Sequence, residues 1–214
     1  MKKILIFILM SFIITPKILL AEEIDLASTS KSYILLENSS GEIVSSKNEH
    51  ERFAPASMTK IMTMLLVMEA IDSGALTWEE TVTVSENASS MGGSQILLEV
   101  GEVMTVRDLF KGVAVGSGND AAVALAERVS GTEEAFVNRM NQRAKELGLK
   151  NTNFKNPTGL DEANHYSSAY DMSIIARELI KHEKVLKFTS IYEDYLRANT
   201  DRKFWLVNTN KVVC

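Results

Sequence analysis

Cysteine is all but missing from this 214-residue chain, whose one cysteine, Cys214, is the last residue. Internal disulfides and cysteine-based metal sites are therefore excluded. Basic charge is also scarce: 23 Lys and Arg face 28 Asp and Glu, a net charge of −5. That balance argues against nucleic-acid binding, which runs on basic patches. There is no G-x-S-x-G elbow, no repeat period, and no long biased tract. Histidines number three, His50, His165 and His182, which leaves few bases for a Ser-His-Asp hydrolase. What is present is ordinary globular composition, 45% hydrophobic and 24% charged, enough for one domain with a real core.

The N-terminus reads as a secretory signal peptide over residues 1–21. Lys2 and Lys3 precede an apolar run from Ile4 to Ile14, and Ala21 precedes the acidic Glu22-Glu23. This run of eleven residues, ten of them apolar, falls short of the ~20 that span a bilayer. The chain is expected to be exported, to the periplasm or the outer face of the cell membrane. Without Lys2, Lys3 and Lys17 it carries 20 basic against 28 acidic residues, net −8.

Ser32 to Leu36 and Ile43 to Ser46 are β-prone runs around Asn38-Ser39-Ser40-Gly41, a hairpin pattern. A lone hairpin is not stable, so it is expected to pair with further strands, yet few strong strand candidates follow. Pro55 stops any strand, and Ser57 opens a segment through Ile71 that is apolar nearly all round, as a buried helix is. Its methionines read as core filler. Thr81 to Ser85 alternates like a short strand. Thr105 with Asp108 boxes a helix ending near Val115, and Ser117-Gly118-Asn119-Asp120 breaks it before a second helix, Ala121 to Val129. Thr132 starts a helix that stops at Gly148, and Ser168 with Asp171 starts one through Ile180.

Ser57-Met58-Thr59-Lys60 sets a hydroxyl and an amine on one face of an opening helical turn. A hydroxyl becomes a nucleophile when a neighbouring base takes its proton. Lysine serves as that base when its pKa falls from ~10.4 toward ~7–8, a change of roughly 4 kcal/mol. Burial against the apolar helix supplies the desolvation, and a second cation nearby would help. The tetrapeptide alone is a weak signal, since S-x-x-K recurs at Ser28-Thr29-Ser30-Lys31. S-x-N occurs three times, from Ser46, Ser85 and Ser117. Only Ser57/Lys60 begins a buried helix, and only Ser117/Asn119 sits in a break between two helices. Singly, Ser57 also suits a helix cap and Ser117-Gly118-Asn119 a plain turn.

Together, the blocks RFAPASMTKIMT, MGGSQILLEVGE, VAVGSGNDAAVALAE, KELGLKNTNFKNPTGLD, HYSSAYDM and VNTNK resemble the low-molecular-mass penicillin-binding proteins. These are the D-alanyl-D-alanine carboxypeptidases of peptidase family S11, and the likeness runs from about Tyr33 to Lys211. It implies an α+β fold, the β-lactamase/transpeptidase-like serine enzyme fold with an antiparallel sheet against a helical lobe. It implies Ser57 as acylated nucleophile, Lys60 as general base, Ser117 as proton relay to the leaving group, and Asn119 as holder of the substrate amide. The backbone N–H of Ser57 would form half of an oxyanion hole. The implied substrate is the D-Ala-D-Ala terminus of the peptidoglycan stem peptide, with β-lactams acylating the same serine and no cofactor or metal.

One motif departs from the pattern. The family's third motif, K-T-G, lies on a strand beyond V-N-T-N-K, and neither K-T-G nor K-S-G occurs in these 214 residues. The resemblance gives that strand the cation for the substrate carboxylate and the second half of the oxyanion hole. Residues 22–214 thus read as the N-terminal portion of the catalytic domain, lacking C-terminal strands and any membrane-associating segment. That polypeptide is expected to be inactive and poorly folded. Two rivals share the motifs. A class A β-lactamase needs a further glutamate, and the one E-x-x-x-N, Glu134 with Asn138, reads as surface helix. A pseudoenzyme that binds wall peptides without cutting them would explain the missing triplet but not four intact site residues. His50 and His182 read as solvated, and His165 as structural or close to the cleft. Asn156-Pro157 and Thr158-Gly159 read as turns and Asp171 as a helix cap.

Overall fold

A computed structural model describes residues 29–213. The leader and Cys214 lie outside the described residues. Strands β1 (Tyr33–Leu36) and β2 (Ile43–Lys47) form the expected antiparallel hairpin. A 3₁₀ turn, Ala56–Thr59, then leads into α1 (Lys60–Asp72). The first turn is therefore tighter than the single helix expected from Ser57, and Ala56 enters it at φ +47°. That left-handed conformation costs an alanine of order 1–2 kcal/mol.

Helix α1 is the axis of the molecule. Met62, Leu65, Val67 and Met68 are fully shielded from water, as its all-round apolar sequence requires. Around it lie β3 (Thr81–Thr83), α2 (Glu86–Ser89), β4 (Val103–Thr105), α3 (Val106–Gly116), α4 (Asn119–Ser130), α5 (Glu133–Glu146) and α6 (Ala169–Ile180). Thr105, Thr132 and Ser168 cap α3, α5 and α6, each accepting the backbone N–H three residues on. A 3₁₀ turn at Glu183–Val185 and α7 (Leu186–Thr189) follow. Trp78, Phe110 and Phe188 form an aromatic trio, with ring centroids 5.0–5.3 Å apart.

The sequence reading missed β5 (Glu193–Leu196) and β6 (Phe204–Val207), an antiparallel ribbon late in the chain. Only Leu196 and Leu206 turn fully inward, while Tyr195 and Trp205 face out, so the polar–apolar alternation is blurred. This ribbon does not supply the partner expected for the first hairpin. Among the described residues the strands form three separate two-stranded sheets, β1–β2, β3–β4 and β5–β6. The first hairpin rests on α6, where Arg177 Nε donates to the Asn38 carbonyl at 3.1 Å. Among the described residues no helix is long and apolar enough to cross a membrane.

Candidate active site

In a 3₁₀ turn, residues i and i+3 eclipse one another, and this sets Lys60 directly over Ser57. The Lys60 Nζ lies 3.3 Å from Ser57 Oγ. Ser57 is exposed, whereas Lys60 is only 2% exposed. The amine also donates to the Thr158 carbonyl at 2.7 Å. Burial drives the Lys60 pKa down from 10.5 to about 8, against the opposing pull of the Asp120 carboxylate. A second cation would have helped, but the charged group that acts on Lys60 is an anion. Desolvation alone therefore does the lowering.

Asp120 stands in the first turn of α4, and its carboxylate is fully engaged by backbone. It accepts from Ile96 N at 3.1 Å, Leu98 N at 3.0 Å and Ala121 N at 2.8 Å. The same corner holds the second predicted pair. Ser117 ends α3 in the left-handed region, φ +56°, half-buried. Asn119 opens α4, 4% exposed, with its backbone N–H on the Ser94 carbonyl at 2.7 Å. Its Nδ2 donates to the Gly92 carbonyl at 2.6 Å. Its buried Oδ1 has no hydrogen-bond partner among the described residues. Ser57 and Lys60 thus share a hydrogen bond, while Ser117 and Asn119 stand on a separate corner. The packing of α1 on α4 and the field of Asp120 join the two.

The 154–165 loop backs the Ser57 turn. Thr63 Oγ1 donates to the Pro157 carbonyl at 2.7 Å. Gly159 sits at φ +85°, and a Cβ there would fall 1.8 Å from the Ala56 carbonyl oxygen. His165 is 6% exposed, with Nε2 2.9 Å from Thr59 Oγ1. Lys155 N donates to its Nδ1 at 3.3 Å, so Nε2 carries the hydrogen of a neutral ring. Burial holds its pKa below the ordinary value, although Glu162 and Asp161 oppose this. His165 was expected to be structural or close to the cleft, and it lies buried against Thr59 in the turn that carries Ser57. His50 is exposed as expected. His182 is only partly solvated, because its Nδ1 meets Asp72 Oδ2 at 2.5 Å and ties the end of α6 to that of α1. Glu134 and Asn138 lie on the exposed face of α5, which leaves the β-lactamase reading without its glutamate.

The sequence model of the D-alanyl-D-alanine carboxypeptidase family, peptidase family S11, matches residues 20–214. The chain belongs to that family. It is 62% identical over 189 residues to the D-alanyl-D-alanine carboxypeptidase DacF of Bacillus subtilis, covering 88% of this chain and 49% of that protein. Against DacD of Escherichia coli the identity is 41% over 158 residues, covering 71% and 41%. The S11 chain thus spans about half the length of the curated relatives it matches. Two solved structures superpose well. Penicillin binding protein 5 of Haemophilus influenzae gives a TM-score of 0.81 at 38% identity, covering 86% of this chain and 54% of that one. The carboxypeptidase DacD of Francisella tularensis gives 0.80 at 36%, covering 89% and 45%. The fold is the β-lactamase/transpeptidase-like α+β fold expected from the motifs.

Proposed function

We propose that this protein removes the terminal D-alanine from peptidoglycan stem peptides through an acyl-enzyme on Ser57, and that β-lactams acylate the same hydroxyl. The observation that carries this reading is the buried Lys60 amine, its pKa near 8, within hydrogen-bond reach of an exposed serine. At pH 7 about a tenth of such lysines are neutral and able to act as base. Lys60 takes the Ser57 proton as Oγ attacks the carbonyl of the penultimate residue. The Ser57 N–H supplies half of the oxyanion hole. Ser117 passes a proton to the departing D-alanine amine, and water then hydrolyses the ester. Asn119 holds the substrate amide. The reading includes export, supported by Lys2-Lys3 and the Ile4–Ile14 run. It also includes dependence on a K-T-G strand, which these 214 residues do not contain.

The test compares the chain as it stands with the chain joined to a K-T-G-bearing strand, both treated with fluorescent penicillin and a D-Ala-D-Ala pentapeptide. The joined protein is expected to take label on the Ser57 peptide and to release D-alanine. Ser57→Ala abolishes both, and the unjoined chain stays unlabelled. A folded, joined protein that takes no label, or takes it elsewhere, overturns the proposal.

A further inference from the structure

We propose that Asn156 is a positioning residue for this chemistry, fixing the turn through Pro157, Thr158 and Gly159 so that the Thr158 carbonyl holds the Lys60 amine beside Ser57. The inference rests on the reading of Ser57 and Lys60 given above.

Asn156 is 9% exposed, and its amide is spent inside the turn. Its Oδ1 accepts from Thr158 N at 3.2 Å, Thr158 Oγ1 at 2.9 Å and Gly159 N at 2.7 Å. Its Nδ2 donates to the Leu160 carbonyl at 2.9 Å and lies 3.4 Å from Glu162 Oε2. One side chain thus binds both ends of a turn that faces the start of α1. Two successive carbonyls of that turn reach the helix, Pro157 O to Thr63 Oγ1 and Thr158 O to Lys60 Nζ, each at 2.7 Å. Gly159 closes the approach against Ala56.

The consequence for catalysis is directional. A neutral amine has two N–H bonds and one lone pair. Thr158 O takes one N–H at short range, which restricts where the lone pair points, and Ser57 Oγ lies on the open side at 3.3 Å. The turn also keeps water from the amine. The charged groups facing this assembly are Asp120 from α4, Glu162 on the Asn156 amide, and Asp161 with Glu162 around His165 behind Thr59. Burial is the largest influence on Lys60. Loosening the turn admits water and returns the lysine toward its ordinary value.

The test uses the full chain with ¹³C-labelled lysine and follows the Lys60 titration by NMR, the resonance being identified by its loss in Lys60→Met. The wild type is expected to titrate near 8. Asn156→Ala raises the midpoint by about one unit, leaving roughly tenfold less neutral amine at pH 7. Thr158→Val keeps the side-chain shape, loses the bond to Asn156, and shifts the midpoint less in the same direction. It decides the matter if Asn156→Ala does not fold. In acylating protein the rising limb of the labelling rate moves up in pH by the same amount, which mere loss of folded protein would not produce. Folded variants with an unmoved or lowered Lys60 midpoint overturn the proposal. If Lys60 titrates near 8 and shifts on Asn156→Ala, yet the protein joined to a K-T-G-bearing strand never acylates, the positioning role stands and the functional reading is overturned instead.

Discussion

Replacing Lys60 with methionine offers a direct measure of the strain held at this site. The lysine titrates near 8 in the folded protein and at 10.5 in a solvated chain. At ~1.4 kcal/mol per unit, its ammonium costs the folded state about 3 kcal/mol at pH 7. The folded value is the lower one, so between the two pKa values the unfolded chain binds more protons. Stability therefore rises with pH across that window, and the penalty disappears above 10.5. Methionine fills a similar volume without the charge, but it leaves the Thr158 carbonyl without the Lys60 donor, which costs ~1–3 kcal/mol at every pH. Lys60→Met is thus expected to match or exceed the wild type by up to about 2 kcal/mol at pH 7. By pH 10.5 it falls behind, and the gap between the two proteins changes by about 3 kcal/mol overall. Urea unfolding at a series of pH values, followed by the fluorescence of Trp78 within its aromatic trio, measures this. Other titrating groups are common to both proteins and cancel. Parallel stability curves would refute the argument that burial neutralises Lys60.

Further outcomes are expected. Gly159→Ala drives a Cβ onto the Ala56 carbonyl and takes a left-handed position from glycine. It should destabilise by more than ~3 kcal/mol in the same unfolding assay. Asp120→Asn removes the charge that raises the Lys60 pKa, so the NMR midpoint of Lys60 should move down. Weaker acceptance from Ile96, Leu98 and Ala121 should cost ~1–3 kcal/mol of stability. The folded pKa of His165 lies below its solvated value, so its contribution to stability is full above that solvated value. Its protonation destabilises the fold as pH falls below it. Acidification from pH 7 to 5 should therefore destabilise the wild type more than His165→Gln, as measured by thermal melting.

The helical body was legible because caps and periodicity are local. Thr105, Thr132 and Ser168 announced α3, α5 and α6 from residues within four positions of one another. The β5–β6 ribbon was not legible, since its outward faces carry Tyr195 and Trp205 where alternation would place polar residues. Ser57 and Lys60 could be read because a hydroxyl and an amine three apart opened a greasy helix. The partner that holds the amine could not. Every residue has a carbonyl, so nothing in the letters marks that of Thr158, which folding brings from 98 positions away. Asp120 was visible in the helix break but not its reach to Lys60, because the charge of one helix acting on another is settled by packing.

The supports of the amine are scattered along the chain, and this sets the order of events during folding. Thr59 and His165 are 106 positions apart, Thr63 and Pro157 are 94 apart, and Lys60 and Thr158 are 98 apart. Contacts this distant close late, after local helices have formed. A nascent chain that has reached α4 but not the 154–165 loop lacks the Thr158 carbonyl that holds the Lys60 amine. The buried setting that lowers the Lys60 pKa is complete only when the 154–165 loop packs back over the start of α1.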